Sequence, residues 1–323
     1  MSDGAAAESS TSVRAVFFGS GAFADPILEG LVDIPGVRIE AVVSAPDRAV
    51  GRKAILTPTP VAARARDLGL ALLQPVRVRK PEAVAALAAL APDLIVLADY
   101  GQLIPRVLLD LPRRGFLNLH PSALPRWRGA APIPATILAG DTESAVTLIV
   151  LSEEMDAGPI VAVEPLAVLP DDTAVTLEER AAAAAANLLR RALPEWLAGR
   201  LEPRPQPSEG VTLTRPLRRE DGRLDFLADA AQLERQVRAY QPWPGSFMET
   251  SEGRLIVWKA RVAPVEAGDV AGRLATMADG GLALATGDGR LVLDEVQLAG
   301  GRQMAPAELL RGRPRLVGAS TGR

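Results

Sequence analysis

The sequence predicts an α/β protein: a Rossmann-like, mostly parallel sheet domain followed by a small OB-like β-barrel domain. Three observations lead there. Short apolar runs alternate with helix-like segments through the first half of the chain, the pattern of a sheet covered by helices. Prolines 203, 205 and 207 then recur at every second residue, which suits an extended connection. Beyond them the texture turns to short strands between glycine turns, as in a small barrel. The length of 323 residues fits two domains, since single cores stop growing near ~250 residues.

In chain order, residues 1–12 are small and polar and read as a disordered arm. The first domain is expected over 13–199. Its strands are Arg14-Ala15-Val16-Phe17-Phe18, Ile39-Glu40-Ala41-Val42-Val43, Leu94-Ile95-Val96-Leu97-Ala98 and the run ending at Leu119, with helical patterns near 24–33, 60–69 and 81–90. An Ala-rich helix over about 173–199 closes it, and 200–215 forms a Pro-rich linker. The second domain, 216–323, opens with a helix from Ala230 leading into Gln241-Pro242-Trp243-Pro244-Gly245. Strands are expected at 254–259, 281–286 and 290–293.

Composition narrows the chemistry. With no cysteine there is neither a disulfide framework nor a thiolate nucleophile, and with a single histidine a zinc site is disfavoured, so no metal is expected. No apolar stretch reaches the ~20 residues that cross a bilayer, and Met1 to Ser12 lacks a basic segment followed by an apolar one. The expectation is a cytoplasmic enzyme without a membrane partner. Residues 1–210 hold 20 Lys and Arg against 25 Asp and Glu, and 211–323 hold 16 against 14, a mild asymmetry that by itself does not argue for nucleic acid.

The one histidine, His120, follows the apolar run Gly115-Phe116-Leu117-Asn118-Leu119. Residues two apart on a strand share a face, so Asn118 and His120 are placed side by side at a strand's C-terminal end, where open α/β sheets carry their ligands. A carboxamide donor beside a base that titrates near neutrality is a catalytic pairing. A lone Asn-x-His is more often a satisfied core histidine, and Asp156, which precedes Ala157-Gly158, is by itself an ordinary turn residue. The neighbouring residues decide.

Asn118-Leu119-His120-Pro121-Ser122-Ala123-Leu124-Pro125 resembles the Asn-x-His-x-Ser-x-Leu-Pro signature of folate-dependent formyltransferases. The continuation Arg126-Trp127-Arg128-Gly129-Ala130-Ala131-Pro132-Ile133 is similar to the members of that superfamily that act on charged initiator tRNA. The run Val146 to Val150 followed by Met155-Asp156-x-Gly158 resembles the family's aspartate loop, with Asp-Ala-Gly-Pro where many relatives carry Asp-Thr-Gly-Asp. The resemblance spans about residues 13 to 312.

It implies transfer of a formyl group from 10-formyltetrahydrofolate to the α-amino group of methionyl-initiator tRNA, with Asn118, His120 and Asp156 catalytic. It places the folate on Ser122, Ala123, Leu124 and Pro125 and on the loop of Tyr100 and Leu103. It places the acceptor at Phe23, Arg48, Arg52 and Lys53, with the second domain as a further tRNA surface. Partners are then charged initiator tRNA and the folate, acting on a monomer. Relatives often continue the cationic loop with more lysines, where this chain has Ala54 and Ile55.

Other readings have specific discriminants. Gly19-Ser20-Gly21-Ala22-Phe23-Ala24 fits the G-x-G-x-x-A dinucleotide pattern, but no acidic residue ends the next strand, so an oxidoreductase is disfavoured. A formyltransferase for an amino sugar nucleotide or glycinamide ribonucleotide would share the chemistry; the Arg126 to Ile133 continuation and the Gln241 to Gly245 turn disfavour it. A non-catalytic nucleic-acid-binding protein built on the barrel leaves Asn118, His120 and Asp156 unexplained.

Overall fold

The structure, a computed structural model, describes residues 12–51 and 54–318. The expected arm up to residue 11, and Arg52 and Lys53, lie outside the described residues. By contact the described residues divide into two compact units, those up to 129 with 144–166 and 178–213, and 130–143 with 167–177 and those from 214 on.

The first unit is organised by a seven-stranded sheet in the order Ile160–Ala167, Glu143–Val150, Phe116–His120, Leu94–Ala98, Val13–Gly19, Val37–Val43, Leu72–Leu73. The five strands from Phe116–His120 to Leu72–Leu73 pair in parallel, and Glu143–Val150 runs antiparallel beside Phe116–His120. Leu94–Ala98 and Phe116–His120 are buried at every residue, as expected of central strands covered on both faces. The parallel strands end at a common edge, so Ser20, Ser44, Asp99 and the residues after His120 share one rim of the sheet.

The helices start where the sequence supplies start signals. Pro60–Asp67 is capped by the Thr59 hydroxyl, which accepts from Ala62 N at 3.0 Å, and Pro60 occupies a position whose N–H needs no partner. Asp25–Val32 and Pro81–Ala89 follow the same proline rule. In the long helix Ala174–Leu197 the run of alanines is a packing surface. Ala181, Ala182, Ala185 and Ala186 are buried, and a Cβ on Gly30 would stand 3.3 Å from that of Ala186, so small residues on both helices allow the close approach.

The second unit carries a five-stranded antiparallel sheet in the order Ser246–Thr250, Gly253–Ala263, Arg290–Leu298, Leu282–Ala285, Leu274–Thr276. Its core gathers Leu255, Val257, Leu282, Leu284, Leu291, Leu293 and Val296 beneath the helix Ala230–Ala239, which contributes Leu233 and Val237. The same unit includes the helix Pro132–Ala139, and Arg235 Nε donates to Leu138 O at 3.1 Å. A boundary drawn along the chain does not anticipate that assignment, since the docking is tertiary.

Segment 200–215 differs from a free spacer. Arg204 forms a bridge with Ile160, and Thr212 O accepts from Arg128 N at 3.0 Å, so the proline-alternating stretch is a strap hydrogen-bonded to its neighbours. Alternate prolines leave the intervening N–H groups free to pair, and an edge strand tolerates the rest.

In the second unit Asp221 accepts both guanidinium donors of Arg215, at 2.7 and 2.6 Å, and Arg218 N at 2.6 Å. The Arg215 hydrogen bonds, against the cost of burial, hold its carboxyl down at about 2. The folded value lies below the unfolded one, so this group's stabilisation is present above the ordinary aspartate range and is lost as pH falls from about 4 toward 2. Asp221→Asn is expected to lower the melting temperature at pH 7. The gap to wild type should close across that acidic window, as read by thermal melts at stepped pH.

Candidate active site

The period of a strand builds the site. On Phe116–His120, Leu117 and Leu119 point into apolar packing, whereas Asn118 and His120 share the other face. They are only 4% and 5% exposed. Buried polar groups require partners, and both find them. Asn118 Nδ2 donates to Asp156 Oδ1 at 3.2 Å. His120 Nδ1 faces Asp156 Oδ2 at 3.7 Å, while His120 Nε2 lies 2.9 Å from Trp127 O. Both ring nitrogens thus face oxygen acceptors.

Asp156 reaches this position from a loop 38 residues further along the chain than Asn118. Its φ is +50°, a left-handed conformation that aspartate tolerates better than most residues. Gly129 N donates to its Oδ2 at 2.8 Å, so the carboxylate meets an amide on each oxygen. Gly158, two residues on, has no room for a side chain, because a Cβ there would fall 1.7 Å from Val150 O. That approach explains the glycine of the Asp-Ala-Gly-Pro run.

The turn after His120 is equally constrained. Ser122 Oγ donates to Arg126 O at 2.7 Å, and Thr147 Oγ1 donates to Ser122 O at 2.6 Å. Ser122 and Leu124 are buried, Pro125 is partly exposed and Ala123 is exposed. Trp127 adopts a φ of +59°, its N–H donates to Thr212 Oγ1 at 2.8 Å, and the Arg126 guanidinium lies 4.2 Å from its ring centre.

The remaining expected site residues scatter. Tyr100 is buried edge-on against Phe18, its hydroxyl has no hydrogen-bond partner among the described residues, and burial pushes its phenol up to about 12. Leu103, on the same loop, is 75% exposed. Phe23 is buried in the core of the sheet domain. Arg48 is exposed on a short ribbon, Arg48–Val50 against Ile55–Thr57, whose second strand presents Ile55 and Leu56 at 62% and 68% exposure.

Several polar residues at this rim carried no sequence signal. Asp99 has a φ of +44°, and although the residue is exposed, its carboxylate is tucked against Gly21. Desolvation there pushes the carboxyl above its ordinary range, against the hydrogen bond it accepts from Gly21 N. Glu178 is pushed up by burial and then by Asp99. On the strap, Gln206 Nε2 donates to Asp156 O at 2.7 Å and to Gly158 O at 2.8 Å, and its Oε1 accepts from Arg128 Nε at 3.0 Å and Nη2 at 2.8 Å. These contacts span 48 to 78 residues, and only the folded chain brings them together.

Residues 13–193 match the family model "Formyl transferase", and 216–314 match "Formyl transferase, C-terminal domain". The chain is 45% identical to the methionyl-tRNA formyltransferase of Halorhodospira halophila over 94% of its own length and 97% of the relative. It is 41% identical to that of Myxococcus xanthus, over 93% and 95%, and 38% identical to that of Geobacillus thermodenitrificans, over 92% and 93%. Among solved structures it is similar to an N-formyltransferase from Helicobacter canadensis in complex with folinic acid and dTDP-3-aminofucose, with TM-score 0.65, 15% identity and coverage of 90% and 100%. HypX from Aquifex aeolicus in complex with tetrahydrofolic acid gives TM-score 0.62 at 18% identity over 93% of this chain, which spans about half (47%) of that longer protein. At such identities the likeness is one of fold. Two family models across most of the sequence, with relatives at 38–45% identity along nearly its whole length, show that the chain belongs to the methionyl-tRNA formyltransferase family.

Proposed function

We propose that the chain transfers the formyl group of 10-formyltetrahydrofolate to the α-amino group of methionyl-initiator tRNA. The observation that carries the reading is the cluster of buried Asn118 and His120 with partly buried Asp156 at the C-terminal rim of a parallel sheet, in a chain whose relatives bear that name.

The donor set fits the chemistry. Attack of an amine on a formyl carbon forms a tetrahedral centre with a negative oxygen, and collapse breaks the bond to the folate nitrogen. Asn118 gives one amide N–H to Asp156 and retains a second to direct at that oxygen; one such donor typically contributes ~3 kcal/mol to the barrier. His120 takes the proton that the amine loses and returns one to the departing nitrogen, directly or through water, a role worth roughly 10²–10⁴-fold. Trp127 O fixes the imidazole at Nε2, 2.9 Å away, while Asp156 stands 3.7 Å from Nδ1, the nitrogen left for the proton exchange. The turn at Ser122 to Pro125, with Tyr100 and Leu103 near the same rim, is the surface we assign to the folate. Arg48, with Arg52 and Lys53, is assigned to the tRNA backbone, where each phosphate contact adds salt-dependent affinity.

An amino sugar nucleotide as acceptor has less support, since proteins named for that activity share the fold at 13–17% identity. The direct test is formyl transfer to charged initiator tRNA beside charged elongator tRNA and free amino sugars. Selective transfer to the initiator is expected, and transfer to the sugars alone would reverse the reading.

Two variants check the assignments. His120→Ala should reduce turnover by at least about 100-fold while the variant still folds and folate binding stays near wild type, because the imidazole acts in the transition state. Retained turnover would remove His120 from the chemistry. Neutralising Arg48, Arg52 and Lys53 together should raise the KM for charged tRNA and flatten its dependence on salt, with turnover at saturating tRNA affected less. An unchanged KM and salt slope would exclude this ribbon from the tRNA surface.

A further inference from the structure

We infer that Gln206 is a positioning residue for the reaction, setting the place of the Asp156 carboxylate from the proline-rich strap; the inference rests on the catalytic reading of Asn118, His120 and Asp156 given above. Along 202–210 every residue but Gln206 is exposed. Its side chain is turned inward and makes four hydrogen bonds of 2.7–3.0 Å. Two of them fix the carbonyls on either side of Ala157, at Asp156 and Gly158. These bracket the left-handed turn that aims the Asp156 carboxylate at Asn118 and His120.

The other two tie Gln206 to Arg128, which is 7% exposed. Gly129, the next residue, donates its N–H to Asp156 Oδ2. One carboxamide therefore braces both the backbone that carries the carboxylate and the segment that hydrogen-bonds it. A carboxamide is the group that can do both, since its NH₂ donates twice while its oxygen accepts. Asp156 and His120 are held at 3.7 Å rather than at contact distance, so small displacements of the loop change the geometry in which the imidazole works.

The test uses the full-length chain with Gln206→Ala and Gln206→Glu; the second keeps an oxygen for Arg128 but loses both donors to the loop. For folded variants, kcat for formyl transfer should fall about 10–100-fold, with KM for folate and for tRNA changed less than about twofold, the pattern of displaced catalytic geometry. His120 is the sole histidine, so its ring signals need no residue assignment, and Nδ1 and Nε2 are told apart by their couplings to the ring carbon-bound protons. The ¹⁵N signal of Nδ1, which faces Asp156, should move in both variants, while that of Nε2, held by Trp127 O, should move less.

Folded variants with kcat within twofold of wild type and an unmoved Nδ1 signal would overturn the inference. If Gln206→Ala does not fold, the same two readouts on Gln206→Glu decide. Absence of transfer by the wild-type protein itself would instead refute the catalytic reading, so the two failures are distinguishable.

Discussion

The carboxylate of Asp156 is the constraint around which the site is built. It lies in a loop, not on the sheet, yet it must meet Asn118 and His120, which the sheet fixes. The chain meets that requirement with a left-handed aspartate at φ +50°, a conformation that costs roughly 1–2 kcal/mol for a residue with a Cβ. The hydrogen bonds from Asn118 Nδ2 and Gly129 N stabilise it, and hydrogen bonds to a charged group contribute about 1.5–3 kcal/mol each. A second left-handed residue, Trp127 at φ +59°, presents its carbonyl to the other side of the imidazole. Departures from relaxed backbone thus flank the histidine on both sides.

Burial sets the stakes of the arrangement. Asn118 and His120 sit on a strand whose other residues are core, and removing one partner would leave a buried polar group without a hydrogen bond. Low exposure also strengthens each electrostatic contact within the cluster. The rigid sheet supplies the two residues that must not move, and the loops supply those that close around them. Glycine at 158 follows from the same economy of space, since the loop runs against Val150 O.

Much of this was legible in the sequence, for identifiable reasons. The strands 94–98 and 116–120 are continuous apolar runs, and a period of two places Asn118 beside His120 without any tertiary information. The long alanine-rich helix is equally local in origin. Asp156 could be matched only through resemblance, because its approach depends on a turn whose φ no composition reveals. The strap was opaque for a physical reason: prolines at every second position read alike in a free extended chain and in a strand tied to its neighbour. Gln206 and Thr212 were invisible for the same reason, since their partners lie 48 to 85 residues away. Tyr100 and Phe23 illustrate the converse, because their depth of burial is set by the packing around them and not by any local pattern.

The site depends on the charge of Asp156, and one substitution isolates it. Asp156→Asn keeps the size and the tolerance for left-handed backbone but removes the charge and sets an NH₂ group against Asn118 Nδ2 or Gly129 N. Measured as single-turnover formyl transfer to charged initiator tRNA at saturating substrates, the rate should fall by about 100-fold or more with KM little changed, while the melting temperature falls because one of the two hydrogen bonds is lost. A rate near that of the wild type in a folded variant would show that the carboxylate does not orient His120 and Asn118 for the reaction.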